Sequence, residues 1–391
     1  MNSNILTKEV QHFINTNLKT DITKLILKGS PFSLVSIQEL AEQIVAKNKC
    51  KTKLPTWFSA KKIYYPNKLN IEQTSSEITA KYKANLISGK NLIDITGGFG
   101  VDASCFSKKV NSVIHCEINE ELSSITSHNL KQLNIENIKT VNADGIAYLQ
   151  INSTKYDWIY ADPSRRNDLK EKVFLLKDCS PNIPDNLKLL FDKSNAILLK
   201  ISPILDITSA INELIFVKEI HVIAVDNEVK ELLFLLKNNY TQTIDIKTVN
   251  FNKINNEYFN FSVDKESFAT FSEPKKYLYE PNVAILKSGG FTQVSEHFKI
   301  DKLHTHSHLY TSNNLIEFPG RRFKIKQLIS YDKKQLKKLI PSKKANITTR
   351  NFPETVAQIR QKTKFKEGGN QYLFFTTNLN NKHIVLICEK V

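Results

Sequence analysis

Asn91-Leu92-Ile93-Asp94-Ile95-Thr96-Gly97-Gly98-Phe99-Gly100-Val101-Asp102 is the stretch whose reading decides the fold. Leu92–Ile95 has the apolar character of a short buried strand. Gly97, Gly98 and Gly100 then break it, and a helix-competent run, Asp102–Lys109, follows. A strand that ends in a glycine turn and re-enters as a helix is how parallel α/β folds hold a nucleotide-like ligand. Glycine lets the backbone come close, and the helix start offers unpaired N–H groups.

Working outward, alternation continues from residue 91 to about residue 261. Strands are predicted at Leu92–Ile95, Ser112–Cys116, Ile138–Asn142, Trp158–Ala161, Ala196–Ile201 and Glu219–Val225, with a last pair at Ile244–Asn250 and Tyr258–Val263. Helices are predicted between them at Asp102–Lys109, Glu120–Leu133, Gly145–Leu149, Leu187–Lys193, Ile207–Leu214 and Val229–Leu236. Strands alternating with helices imply a parallel sheet covered on both faces.

Upstream, Leu6–Leu18, Asp21–Leu27, Ser36–Lys47 and Ser76–Ile87 carry apolar residues at helical spacing, and Ser36-Ile37-Gln38-Glu39 has the form of a capping box. Trp57–Pro66 reads as aromatic and extended. Beyond Pro274 the rhythm shortens. Strands are predicted at Phe323–Leu328, Asn346–Arg350, Leu373–Thr376 and His383–Cys388, with helices at Asp332–Leu339 and Pro353–Lys362. The expected division is a helical region at 1–90, a Rossmann-like domain at 91–273, a small segment at 274–320 and a basic α+β domain at 321–391.

The chain of 391 residues exceeds one typical core, and its 41% hydrophobic and 24% charged content is that of a globular protein. No apolar run is long enough to span a bilayer, and Met1–Thr20 lacks a signal pattern. The five cysteines have no metal or disulfide spacing, so reduced thiols and a cytoplasmic location are expected. The net charge of +16 is uneven: residues 321 to 366 hold 15 Lys+Arg against Asp332 and Glu354. A polyanionic partner, RNA, is the reading that fits a basic stretch carrying strand and helix patterns.

Four acids fall at the ends of successive predicted strands: Asp94, Glu117, Asp144 and Asp162. In an open parallel sheet these ends line one crevice, and an acid after the second strand can accept hydrogen bonds from ribose hydroxyls. Asp102, opening the helix after the glycines, would compete with a pyrophosphate for the helix terminus. It tolerates a cationic sulfonium, which favours S-adenosylmethionine over NAD.

With these residues in order, the chain resembles the class I S-adenosylmethionine-dependent methyltransferases. Glu72–Lys83 is similar to the segment preceding the glycine loop in a bacterial branch that carries ferredoxin-like and THUMP-like domains. Tyr277–Asn282 resembles the start of the ferredoxin-like piece, and Lys344–Pro353 and Gly368–Leu373 resemble the THUMP-like part. The resemblance implies an RNA methyltransferase acting on tRNA or rRNA. It implies that Asp94, Gly97, Gly98 and Gly100 surround the methionine moiety, Glu117 the ribose and Asp144 the adenine amino group. It also implies that Asp162 and Pro163 face the methyl group and acceptor. A non-catalytic RNA-binding protein with this fold, or a methyltransferase of small molecules or proteins, are the alternatives.

One departure matters. Base-nitrogen methyltransferases carry an aromatic after Asp/Asn-Pro-Pro to stack on a flipped base, and here Ser164-Arg165-Arg166 stands there. Arg165 and Arg166 are candidates to grip a phosphate or stack on a base, or to pair with Asp168 or Glu171; Arg321 and Arg322 are candidates to grip the RNA backbone. A cysteine nucleophile is not expected, since Cys105 and Cys116 lie in apolar patterns and nothing beside Cys179 would activate it. His304, His306 and His308 alternate as they would on one strand face, without the accompanying ligands of a metal site; no metal is expected.

Overall fold

The computed structural model describes residues 1–164, 175–263 and 265–391. The chain forms two units: Met1–Lys218 with Leu233–Thr241, and Glu219–Leu232 with Gln242–Val391.

The first unit begins with the helices Lys8–Thr16, Ile22–Lys28, Ile37–Lys53, Pro55–Ser59, Lys68–Gln73 and Glu77–Ala84. The capping box forms: the Ser36 hydroxyl accepts from Glu39 N, while the Glu39 carboxylate accepts from Ser36 N at 2.8 Å. The helix expected over Ser76–Ile87 forms as Glu77–Ala84, and a separate short helix, Lys68–Gln73, precedes it. Lys68–Gln73 stops, and Ser76 caps Glu77–Ala84 by accepting from Thr79 N. Thr74, Ser75 and Ser76 compete with the helix for backbone hydrogen bonds, and the break turns Ser75 inward, where it is buried.

Five parallel strands follow: β1 Asn91–Asp94, β2 Ser112–Glu117, β3 Ile138–Asn142, β4 Trp158–Ala161 and β5 Ala196–Ile201. Their pairings give the order β3-β2-β1-β4-β5. Leu92, Ile93, Ile159, Ile197, Leu198 and Leu199 are fully buried, as strands covered on both faces require. The chain reverses direction across the sheet between β1 and β4, which is the topological switch point where ligands of such sheets bind.

In the second unit, β6 (Val217–Val225) pairs parallel to β8 (Asp245–Phe251), which pairs antiparallel to β9 (Glu257–Ser262). The helix expected over Val229–Leu236 is instead a strand, β7 (Glu228–Lys237), the start of which lies in this unit. Asp226 and Asn227 are both left-handed (φ 50° and 60°), the geometry of a two-residue hairpin turn, so the chain leaves β6 directly into another strand. The apolar run alone fits either element; the turn chemistry chooses.

The remaining strands are β10 Tyr277–Pro281, β11 Asp301–Lys302, β12 Tyr310–Ser312, β13 Gly320–Ser330, β14 Asn346–Arg350, β15 Gln371–Thr377 and β16 His383–Lys390. They form one sheet in the order β11-β12-β10-β13-β16-β15-β14, joined where β10 pairs with β13. Leu336, Ile359, Phe365, Leu373, Phe375 and Val385 pack helices Lys333–Leu339 and Val356–Thr363 on one face of it. Helices Val283–Ser288 and Phe291–Phe298 have no counterpart among the expected elements. The histidine strand does not form either. Residues 303–309 turn, His308 is left-handed (φ 51°) and stacks on Phe291, and His304 bonds Asn381 and Asn351. Among the described residues no cluster of His, Cys, Asp or Glu suits a metal, and no helix is long and apolar enough to cross a membrane.

Candidate active site

β1 to β4 deliver Asp94, Glu117, Asp144 and Asp162 to the carboxyl edge of the first unit's sheet. Between β1 and the helix Val101–Phe106 lies the glycine loop. A Cβ on Gly97 would stand 2.5 Å from the Cys116 carbonyl oxygen and 2.8 Å from His115 Cε1, so no side chain fits there. Gly98 differs: at φ 71° its missing side chain would point into open space, with nothing nearer than 4.0 Å. That opening is a cradle where a ligand can lie against bare backbone. Thr126 closes the far side, donating from its hydroxyl to Gly98 O at 2.9 Å. His115, fully buried in β2, underlies the loop; burial pushes its imidazole down to about 4, so it acts there as a neutral, space-filling group.

Glu117 is held by the loop it serves. Its Oε2 accepts from Gly98 N and its Oε1 from Asn119 N, both at 2.7 Å, and each oxygen keeps a second lone pair for a hydroxyl donor. Ile118, next in sequence, is 71% exposed, an apolar surface at the rim that the sequence patterns did not flag. Asp144 is exposed and caps the helix Gly145–Ile151 through Oδ1, which accepts from Ala147 N at 2.9 Å.

Asp94 is 1% exposed. Burial drives its carboxyl well above the usual carboxylate range. Hydrogen bonds from Thr96 N (3.0 Å) and Oγ1 (3.3 Å) only partly oppose this, and nearby Asp102 and Asp162 reinforce it. No basic side chain among the described residues pairs with it. Asp162, across the switch point, sits beside the same threonine: its N–H donates to Thr96 Oγ1 at 2.7 Å, and its carboxylate pairs with Lys200 of β5. Pro163 is buried behind it.

Asp102 does not line the ligand space as an uncompensated anion. Its carboxylate pairs with Lys83 at 3.1 Å and accepts from Ser75 Oγ and Tyr160 OH, both at 2.8 Å. Burial opposes its ionisation, yet Lys83, Lys200 and these two hydroxyls hold its carboxyl below the ordinary value. Its effect on ligand choice is therefore weaker than its place in the sequence implies. Lys83, Ser75, Tyr160, Thr96 and Lys200 were missed from the sequence because each lies in an ordinary helix, turn or strand pattern and gains its place only on folding.

The five cysteines are free and buried, and burial pushes the Cys116 thiol up to about 12. None is a nucleophile here. Arg165 and Arg166 lie outside the described residues.

In the second unit, Arg321 and Arg322 are engaged. Arg322 pairs with Glu317 at 2.6 Å. Arg321 pairs with Glu280, reaches Thr348 Oγ1 at 3.3 Å and lies over the rings of Phe323 and Phe374. Glu280, buried, also forms an ion pair with Arg350 at 2.8 Å, so one carboxylate ties β10, β13 and β14 together. Glu280→Gln is expected to lower stability by about 3 kcal/mol, the low end for breaking such a pair, because both guanidiniums keep access to water. Urea unfolding checks this; a loss below ~1 kcal/mol would show that the trio holds nothing together. Basic side chains that form no ion pair among the described residues lie elsewhere. Lys333, Lys334, Lys337 and Lys338 stand exposed on one helix, with exposed Lys343, Lys344, Lys364 and Lys366 near one another through the Lys344–Lys366 bridge.

Comparison with known proteins bears on both units. The profile of the protein-L-isoaspartate(D-aspartate) O-methyltransferase family matches residues 55–166, a ferredoxin-like domain profile matches 277–319, and a THUMP domain-like profile matches 320–390. The crystal structure of a candidate methyltransferase from Porphyromonas gingivalis W83 is 30% identical and covers 100% of this chain and 98% of its own, with a TM-score of 0.88. An rRNA methylase from Streptococcus thermophilus is 15% identical over 41% of this chain and 94% of its own, at a TM-score of 0.31. A candidate RNA methyltransferase from Pyrococcus horikoshii is 18% identical over 39% of this chain and 74% of its own, at 0.28. Likenesses as slight as these last two carry no argument. No curated protein matches the chain.

Proposed function

Because the chain belongs to the family of the Porphyromonas gingivalis protein, S-adenosylmethionine-dependent methyltransferases with ferredoxin-like and THUMP-like C-terminal domains, we propose that it methylates RNA. The observation that carries this reading is the group of eight exposed lysines between Lys333 and Lys366 on the THUMP-like domain, none of which forms an ion pair with an acid among the described residues. Spaced ammonium groups on a folded surface suit a phosphate backbone. Arg321 and Arg322, with part of each guanidinium already taken by Glu280 and Glu317, are further candidates to contact the RNA backbone.

The residues at the sheet edge fit the cofactor. Asp94, Asp102 and Asp162 stand against Lys83 and Lys200, leaving an excess of negative charge beside the Gly98 cradle. A ligand with a sulfonium and an ammonium group is electrostatically suited to it. Asp94, Gly97, Gly98 and Gly100 would hold the methionine moiety, Glu117 the ribose hydroxyls, Ile118 the adenine face and Asp144 the adenine amino group. S-adenosylmethionine, when bound, supplies the electrophilic methyl group. On the acceptor side Asp162 accepts the proton of the target N–H or O–H, with Lys200 holding the carboxylate in place and Pro163 stiffening the turn. Arg165 and Arg166, next along the chain, are assigned to the substrate.

Transfer to a protein carboxylate, the activity named for the profile over residues 55–166, is the second reading. Asp162 weighs against it, because its carboxylate would repel an anionic acceptor that has no proton to give. With its five free thiols the enzyme is assigned to the cytoplasm.

Mass spectrometry of nucleosides from total RNA of a deletion strain tests the RNA reading. One methylated nucleoside should disappear and return on complementation. An unchanged set of nucleosides would overturn the proposal.

A further inference from the structure

Ser75 and Lys83 come from the helical region before the sheet, yet they meet the catalytic body at one atom group. Lys83, fully buried, pairs with Asp102 at 3.1 Å and donates to Ser75 Oγ at 2.8 Å; Ser75 Oγ in turn donates to Asp102 Oδ2. Asp102 is in the first turn of the helix that follows the glycine loop. Its remaining hydroxyl partner, Tyr160, is on β4, two residues before Asp162. The same upstream region touches the loop a second time, where Trp57 packs on Phe99 with ring centroids 4.6 Å apart. One carboxylate therefore joins three parts: the helical region, the cofactor loop and the strand that presents the acceptor-side aspartate.

We infer that Lys83 is a positioning residue, which with Ser75 fixes Asp102 and through it sets the glycine loop for S-adenosylmethionine and β4 for Asp162. The N-terminal helices are thus part of the cofactor site, although none of their residues was read as a ligand. The physical ground is that a fully buried ammonium and a largely buried carboxylate, bridged by the Ser75 hydroxyl at 2.8 Å from each, have one low-energy arrangement, so the elements carrying them cannot shift independently. Removing the ammonium leaves Asp102 without the one counter-charge in direct contact with it among the described residues, and the first turn beside the loop has to move to rehydrate it.

The inference rests on S-adenosylmethionine as the cofactor, and calorimetry with S-adenosylmethionine on the full chain, well below the unfolding temperature, tests it without any RNA. Lys83→Met should weaken binding roughly 10–100-fold, the scale seen when a group that orients a ligand-holding residue is removed. Lys83→Arg, which keeps the ion pair, should bind within about threefold of wild type. Ser75→Ala removes a single hydroxyl and should weaken binding in the same direction; it decides the matter if Lys83→Met does not fold. Leu40→Ala, in the buried side of helix Ile37–Lys53, destabilises the same region through a cavity and should leave affinity unchanged. Wild-type affinity in Lys83→Met, or in Ser75→Ala if Lys83→Met does not fold, would overturn the inference. So would a Leu40→Ala loss as large as that of Lys83→Met, because the clamp would then be only structural. Failure of the wild-type chain to bind would instead overturn the cofactor reading.

Discussion

Asp94→Asn is expected to stabilise the folded protein near neutral pH and to remove most of its affinity for S-adenosylmethionine. Burial holds the Asp94 carboxyl well above its ordinary value, so the folded state binds this proton more tightly than the unfolded state does. The sign follows. The group favours folding at low pH; that contribution fades as pH rises above the unfolded carboxylate value, and the full penalty stands above the raised folded value. Asparagine removes the penalty while its Oδ1 can still accept from Thr96 N. The gain should be about 1 kcal/mol near pH 8 and should vanish towards pH 4, where the wild-type side chain is neutral too. The same substitution takes away the anion facing a cationic ligand, and about 3 kcal/mol of binding, roughly 100-fold, should go with it. Thermal unfolding between pH 4 and 8 and calorimetry measure the two effects. Unchanged affinity would sink the assignment of Asp94. A stability gain that did not depend on pH would show that the buried charge is not its origin.

Asp162→Asn should separate binding from chemistry. Asp162 faces Lys200 and is tied to Thr96 through its backbone N–H, not through its carboxylate. Removing one charge from the group of Asp94, Asp102 and Asp162 should lower cofactor affinity by no more than about tenfold, while transfer of labelled methyl groups into RNA from a deletion strain falls roughly 10²–10⁴-fold, the range for loss of a positioned proton acceptor. The amide keeps shape and one acceptor oxygen but cannot take up the acceptor's proton. Activity within tenfold of wild type would remove Asp162 from the chemistry and leave it a structural partner of Lys200.

Much of the crevice was legible from local pattern. β1, β2, β4 and β5 are largely apolar runs of strand length and β3 a more polar one, all punctuated by glycine, asparagine and aspartate, and parallel topology then obliges their ends to share one edge. The capping box at Ser36 is likewise a local device, and it formed as read. Where two elements fit one pattern, local reading failed. Glu228–Lys237 carries an apolar run that suits a buried helix or a buried strand, and two left-handed residues at its start made it a strand. Residues 303–309 alternate like a strand but turn, with His308 drawn onto Phe291.

By itself the sequence determined the alternating α/β plan, the glycine loop, the acids at the strand ends and the basic character of the C-terminal region. All of these rest on interactions between neighbours in the chain or on composition. Only the tertiary structure decided which charges are spent on holding the fold. Asp102, read as a charge facing the ligand, is neutralised by Lys83 from 19 positions upstream, and Arg321 shares the Glu280 carboxylate with Arg350. A charge buried beside a partner acts differently from one facing solvent, and which partner it meets depends on contacts between residues far apart in the chain.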